Sequence, residues 1–125
     1  MKGKIMKVGI DVLDAVRMER ISKNKEHLQQ VFTEKEVEYY KQSNNYLPRL
    51  AGMYCAKEAF LKALGIGVRN GINFKEIEIS HEESGKPIYV LSGHVKDILK
   101  TLKITHAELS ISHTDNIATA ICIMQ

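Results

Sequence analysis

The sequence holds no tryptophan, three phenylalanines, two prolines and two cysteines in 125 residues. With aromatics at 6% there are few rings to interleave with Lys and Arg, and a net charge of +3 is small for a phosphate-backbone binder. A nucleic-acid-binding domain is therefore not expected. Cys55 and Cys122 lie far apart with no CxxC or His-rich spacing, which argues against a disulfide scaffold and a zinc cluster. A reducing cytoplasm is the simpler setting. No apolar run approaches the roughly 18 residues of a membrane span, and the basic N-terminus lacks an apolar h-region, so no membrane attachment is expected. Basic residues are themselves missing from one end: 104–125 contains no Lys or Arg, only Glu108 and Asp115.

What is present is ordinary for a globular domain: 44% hydrophobic and 26% charged residues. The length suits one domain over 1–125, given roughly 100–200 residues per domain, and suffices to bury about two-thirds of the unfolded surface. The positive charge gathers early. Residues 1–30 carry seven Lys or Arg against four acids. Such a flank is either a solvated helix face or a surface for an acidic partner.

Residues 5–10 read as a strand with Asp11 at its end, and Asp14 is placed to cap a first helix that carries Arg17 and Arg20 through about Ile21. Thr33 and Glu36 form a capping box for the next helix, with Phe32 and Val37 at the staple positions. A longer helix runs from about Pro48 to Leu64 and stops at Gly65. Leu50, Met53, Tyr54, Leu61 and Leu64 fall at 3–4 spacing, broken at Lys57, and a second stripe is small: Ala51, Cys55, Ala59, Ala63. Small residues permit close backbone approach, so this helix should pack tightly on a sheet. Two strands follow around Ile77–Ile79 and Ile88–Leu91, turned at Ser84-Gly85-Lys86. Val95, Ile98, Leu99 and Leu102 then mark an amphipathic helix, and two strands, 106–113 and 117–124, close the chain. The order β-α-α-α-β-β-α-β-β is α+β, with a mainly antiparallel sheet packed on the long central helix.

Several residues are candidates for chemistry. Asp11 at a strand end is either a turn residue or a ligand. Glu58 lies mid-helix with Lys62 at i+4, either as an exposed ion pair or as part of an inward-facing site beside the small stripe. Two carboxylates from separate elements would suit a hard cation such as Mg²⁺, which takes one or two protein carboxylates together with phosphate oxygens. Gly65-Ile66-Gly67 offers backbone amides to a phosphate, though helix termination alone accounts for Gly65. Ser110-Ile111-Ser112-His113-Thr114 sets hydroxyls around one imidazole, a phosphate donor or a buried structural histidine. Cys55, in a helix interior, reads as a core thiol rather than a nucleophile.

Taken together, these segments resemble the holo-acyl-carrier-protein synthase family of phosphopantetheinyl transferases. The resemblance rests on Gly9-Ile10-Asp11-Val12 with Arg17 six residues beyond Asp11; Leu50-Ala51-Gly52; Ala56-Lys57-Glu58-Ala59-Phe60-Leu61-Lys62-Ala63-Leu64-Gly65; Gly85-Lys86-Pro87; and Ser110-Ile111-Ser112-His113-Thr114. It implies transfer of 4′-phosphopantetheine from coenzyme A to a serine of apo-acyl carrier protein, releasing adenosine 3′,5′-bisphosphate, in fatty acid biosynthesis. It assigns Asp11 and Glu58 as Mg²⁺ ligands, Glu58 as proton acceptor, directly or through a metal-bound water, and Lys62 as the cation on the pyrophosphate. Arg49, Lys62, Gly65, Gly67, Gly85, Lys86, Pro87, His113 and Thr114 would contact coenzyme A. Arg17, Arg20 and Lys23 would dock the acidic carrier. The family's trimer, with sites at subunit boundaries, is implied as well.

Two positions depart from the family pattern: Met53 stands where Arg is common, and Ile66 where Thr is usual between the glycines. Neither is a metal or base position, and Arg49 is placed to supply a cation near Met53. A non-catalytic coenzyme A-binding or carrier-interaction module is the alternative, and it would be free to lose Asp11 or Glu58. Both are present.

Overall fold

The computed structural model describes residues 5–66 and 71–125. Along the chain run β1 (Lys7–Asp14), α1 (Arg17–Lys23), α2 (Lys25–Val31), α3 (Glu34–Lys41), α4 (Tyr46–Leu64), a 3-10 turn (Phe74–Glu76), β2 (Ile77–His81), β3 (Pro87–Leu91), α5 (Gly93–Thr101), β4 (Ala107–His113) and β5 (Ile117–Met124). The class is α+β as expected. One sheet has the order β1-β5-β4, the other is the β2-β3 hairpin, and all the pairings are antiparallel.

The small stripe of α4 determines how the layers meet. Ala51, Cys55, Ala59 and Ala63 are all buried, and Gly9 of β1 packs directly on this helix. A Cβ on Gly9 would overlap the Ala59 carbonyl and the Ala63 amide. Two residues of strand rise roughly 6.6 Å and one helical turn 5.4 Å. Strand and helix therefore stay nearly in step, which brings Asp11, two residues after Gly9, alongside the turn that carries Cys55 and Glu58.

Local signals govern several boundaries. The Thr33–Glu36 capping box forms with both bonds present, 3.2 and 2.9 Å. Gly65 ends α4 in the left-handed conformation (φ 75°), its N–H donating to Leu61 O and the Ile66 N–H reaching back to the same carbonyl. Asn24 caps α2 by accepting from the His27 N–H at 3.1 Å. This helix is an addition to the elements read from the sequence.

Three local expectations are corrected. β1 does not end at Asp11 but continues to Asp14, which pairs with Ile117. Asp14 consequently caps nothing: α1 starts at Arg17 after Val16, with no side-chain cap bond. The reason is pairing beyond the strand, since the Ala15 N–H still donates to Asn116 O at 2.7 Å. Leu102 lies past α5 as its C-cap and is 47% exposed, whereas Val95 and Leu99 of the same stripe are buried.

The face of β1 turned away from α4 carries Val8, Ile10 and Val12, each about 60% exposed. Across the ladder Val8 and Ile10 meet Ile123 and Ile121. An apolar sheet face is thus left uncovered by this chain.

Candidate active site

Asp11 sits mid-strand on the side of β1 that faces α4, half-buried. Lys62, on the last turns of α4, reaches it: Nζ lies 3.0 Å from Asp11 Oδ1 and donates to Ile10 O at 3.1 Å. The lysine thus takes the strand carboxylate as its ion-pair partner. Its i−4 neighbour Glu58 still feels its charge. Burial, and then the negative charge of Asp11, raise the Glu58 carboxyl above its usual range, opposed by a hydrogen bond from the Tyr54 phenol and by Lys62. Asp11, Glu58 and Lys62 therefore form one electrostatic cluster.

The cluster's donor chemistry fits a hard cation. The repulsion that Asp11 places on the Glu58 carboxylate would be relieved by a dication. Among the described residues no group of three or more His, Cys, Asp or Glu side chains converges as a metal cage. Two carboxylates with the remaining positions left to phosphate and water is the arrangement Mg²⁺ commonly takes.

Tyr54 connects this cluster to α1. It is half-buried, and its phenol is pushed up by burial, then by Glu58 and Asp11, with Arg17 pulling the other way. The same ring lines a groove of about 740 Å³ with Arg17, Arg20 and Lys23. The two arginines are exposed, while Lys23 is paired at 3.2 Å with Glu19, which offsets its charge. The 3–4 spacing places Tyr54 in the core stripe; its position one turn before Glu58 is the signal for its place in the cluster.

A second group of expected residues assembles elsewhere. Arg49, Gly85, Pro87 and His113 line one cleft of about 190 Å³, with Met53 in its wall. Met53 and Tyr54 are consecutive on α4, roughly 100° apart around the helix, and one lines the cleft while the other lines the groove. His113 is exposed at the end of β4, so the buried structural reading is corrected. Lys86 is a surface residue paired with Glu108 at 3.1 Å, outside the cleft lining. The Thr114 hydroxyl accepts from the Asn116 and Ile117 N–H groups at 3.1 and 3.0 Å and so shapes the β4-β5 turn. Gly65 is exposed at the end of α4, and Gly67 lies outside the described residues.

Cys55 is a core thiol: wholly buried, donating to Ala118 O at 3.6 Å, and pushed up to about 12 by burial and by Asp11. It is no thiolate near neutral pH. The break in the apolar stripe at Lys57 is resolved in the core, where its ammonium meets Glu36 Oε1, Phe74 O and Ile77 O, each at 2.9 Å. No helix of the described residues is long and apolar enough to cross a membrane.

Comparison with known proteins places the fold. The holo-[acyl-carrier-protein] synthase of Caldanaerobacter subterraneus subsp. tengcongensis is 42% identical over 117 residues, covering 93% of this chain and 91% of that relative. Among solved structures, the ACPS–CoA complex of Chronobacterium ammoniagenes superposes with a TM-score of 0.83 at 32% identity, covering 98% of each chain. The holo-[acyl-carrier-protein] synthase of Neisseria meningitidis superposes with a TM-score of 0.85 at 26% identity, over 95% of this chain and 97% of that one. The family model of the 4′-phosphopantetheinyl transferase superfamily matches residues 7–122, and the chain belongs to that superfamily.

Proposed function

We propose that the chain moves the 4′-phosphopantetheine arm of coenzyme A to a serine of apo-acyl carrier protein, the holo-acyl-carrier-protein synthase reaction of fatty acid biosynthesis, in the cytoplasm. The observation that carries this reading is the continuity of the Asp11–Glu58–Lys62 cluster, through Tyr54, with the groove lined by Arg17 and Arg20. An acidic carrier seated on those arginines presents its serine to a carboxylate.

In the reaction the serine oxygen attacks the phosphorus that bears pantetheine. The bridging P–O bond breaks, and adenosine 3′,5′-bisphosphate leaves with the electron pair. Glu58, whose carboxyl holds a proton more readily than an exposed glutamate, accepts the serine proton. Lys62 brings a positive charge to the pyrophosphate, where negative charge accumulates as the bridge opens. Asp11 and Glu58 are the residues that would hold Mg²⁺, and that ion, when bound, neutralises charge on the pyrophosphate. Asp11 also steers the Lys62 ammonium by its 3.0 Å pair.

The cleft of Arg49, Gly85, Pro87 and His113 binds another part of coenzyme A. The two sites lie on different sides of α4, and the outer face of β1 is apolar and uncovered. Both features support a homotrimer in which the cleft of one subunit completes the acidic cluster of the next. Incubation with coenzyme A, Mg²⁺ and apo-acyl carrier protein, followed by intact-mass measurement, tests the reaction. The carrier should gain one phosphopantetheine; a carrier of unchanged mass, with coenzyme A bound, would instead favour a non-catalytic binding module.

A further inference from the structure

His81 ends β2 and pairs across the hairpin with Pro87. Its ring stacks on Tyr39 with centroids 3.8 Å apart and planes 15° from parallel. The Arg49 guanidinium lies over the same Tyr39 ring, 4.6 Å from its centroid, and Nη1 donates to the Tyr39 carbonyl at 3.1 Å. All three side chains line the small cleft, and His113 joins them from β4. Four elements thus deliver an aromatic ring, a guanidinium and two imidazoles to one place, and no carboxylate is among the lining residues.

The dimensions limit what enters. At about 190 Å³, the cleft is smaller than the roughly 300–1,000 Å³ that enclose a whole small-molecule ligand. It suits one group carried by a larger molecule. Among the described lining residues the donors are the Arg49 guanidinium, the two imidazoles and the Tyr39 hydroxyl, and the one fixed charge is the Arg49 cation, so the group that fits is an anion. A phosphate matches a guanidinium seated over an aromatic ring.

We propose that His81 is a specificity-determining residue of this cleft, which in its protonated form joins Arg49 and His113 in holding one phosphate of coenzyme A and makes that hold tighter in acid. The inference rests on the coenzyme A reading above and adds a residue that no motif of the sequence marked.

The charge logic gives the sign. Burial first, and then the Arg49 charge, hold His81 below the usual imidazole range. The titratable and charged groups facing it are Tyr39 from α3, Arg49 from α4 and His113 from β4. A bound phosphate supplies the missing counter-charge, so binding draws a proton onto the ring. The contribution to affinity is complete below the free-state pKa and is lost as pH rises through the bound-state pKa.

Calorimetric titration of the full-length protein with coenzyme A at pH 6 and pH 8, in buffers of different ionisation heat, tests this. His81→Phe keeps a ring to stack on Tyr39 but cannot take a proton. It should bind about tenfold more weakly at pH 6, the scale of one hydrogen bond to a charged group, bind within about twofold of wild type at pH 8, and take up fewer protons. His81→Lys should bind nearly as tightly at pH 8 as at pH 6. His113→Phe, run in parallel, separates the other imidazole. A second arm with 3′-dephospho-coenzyme A identifies the phosphate: loss of the His81 effect assigns the 3′-phosphate, and its persistence assigns the pyrophosphate. Wild-type affinity and proton uptake in folded His81→Phe at pH 6 would overturn the inference and leave the coenzyme A reading intact. Absence of coenzyme A binding by the wild type would overturn both.

Discussion

The Lys57 ammonium lies 2.9 Å from Glu36 Oε1, and both side chains are wholly removed from solvent. Lys57 also donates to the carbonyls of Phe74 and Ile77, while Glu36 accepts from the Thr33 and Ile79 N–H groups. One pair therefore joins α3, α4, the 3-10 turn and β2. Because it fixes the roll of α4, it also fixes where Glu58, the next residue, points.

Replacing Lys57 by Met should cost about 3–5 kcal/mol, since it leaves a buried carboxylate without its charge partner and two carbonyls without a donor. Denaturant unfolding measures this. A loss below about 1 kcal/mol would mean that the network is not what ties α4 to β2.

Gly9→Ala tests the contact between strand and helix. The added methyl meets the backbone of Ala59 and Ala63, which no rotamer change can move away. Overpacking of this kind costs about 1–3 kcal/mol or more. It should also separate Asp11 from Lys62, so transfer activity should fall in protein that still folds. A variant with wild-type stability and rate would show that β1 shifts freely along α4.

Asp11→Ala should remove transfer with the fold retained, and Glu58→Gln should lower kcat by about 10²–10⁴-fold, the range for loss of a general base. Circular dichroism establishes that the variants fold, and the intact-mass assay with and without chelator reads the activity. Full activity of Asp11→Ala in chelator would remove both the Mg²⁺ assignment and the role of Asp11.

The sequence made local features legible. The Thr33–Glu36 box, the Gly65 stop and the small stripe of α4 are set by contacts within one turn or one helix face, and each is found where spacing placed it. What escaped depends on distant pairing. The length of β1 is decided by β5, more than 100 residues later, through pairs such as Asp14 with Ile117. Lys62 pairs with Asp11 because the strand brings that carboxylate within reach, a fact absent from α4 itself. The helix α2 buries only Leu28 and Val31, too few apolar positions to announce a period. Tyr39, Arg49 and His81 come from three elements and share no motif.

Reversing both Arg17 and Arg20 to Glu tests the docking groove. These side chains are exposed and flank the groove that Tyr54 links to Glu58. The double variant should raise KM for the carrier by about tenfold or more at low salt while the KM for coenzyme A stays within about twofold. The difference should shrink as salt rises, because exposed charges are screened within about 8 Å at physiological ionic strength. Equal changes in the two KM values would mean that the groove does not receive the carrier.

Ile10→Glu tests the uncovered sheet face. Ile10 is 61% exposed in the single chain, so a carboxylate there should alter the stability of an isolated subunit by only about 0.5 kcal/mol. In a trimer built on this face the same change would bury three carboxylates among Val8, Val12 and Ile121, where unpaired charge is costly. Sedimentation should therefore show wild-type trimers and variant monomers of unchanged helix content. If each active site draws Arg49 and His113 from a neighbour, the monomers should also lose transfer activity, and added coenzyme A should not restore it. A variant that stays trimeric would place the interface elsewhere; a fully active monomer would show that one chain completes its own site.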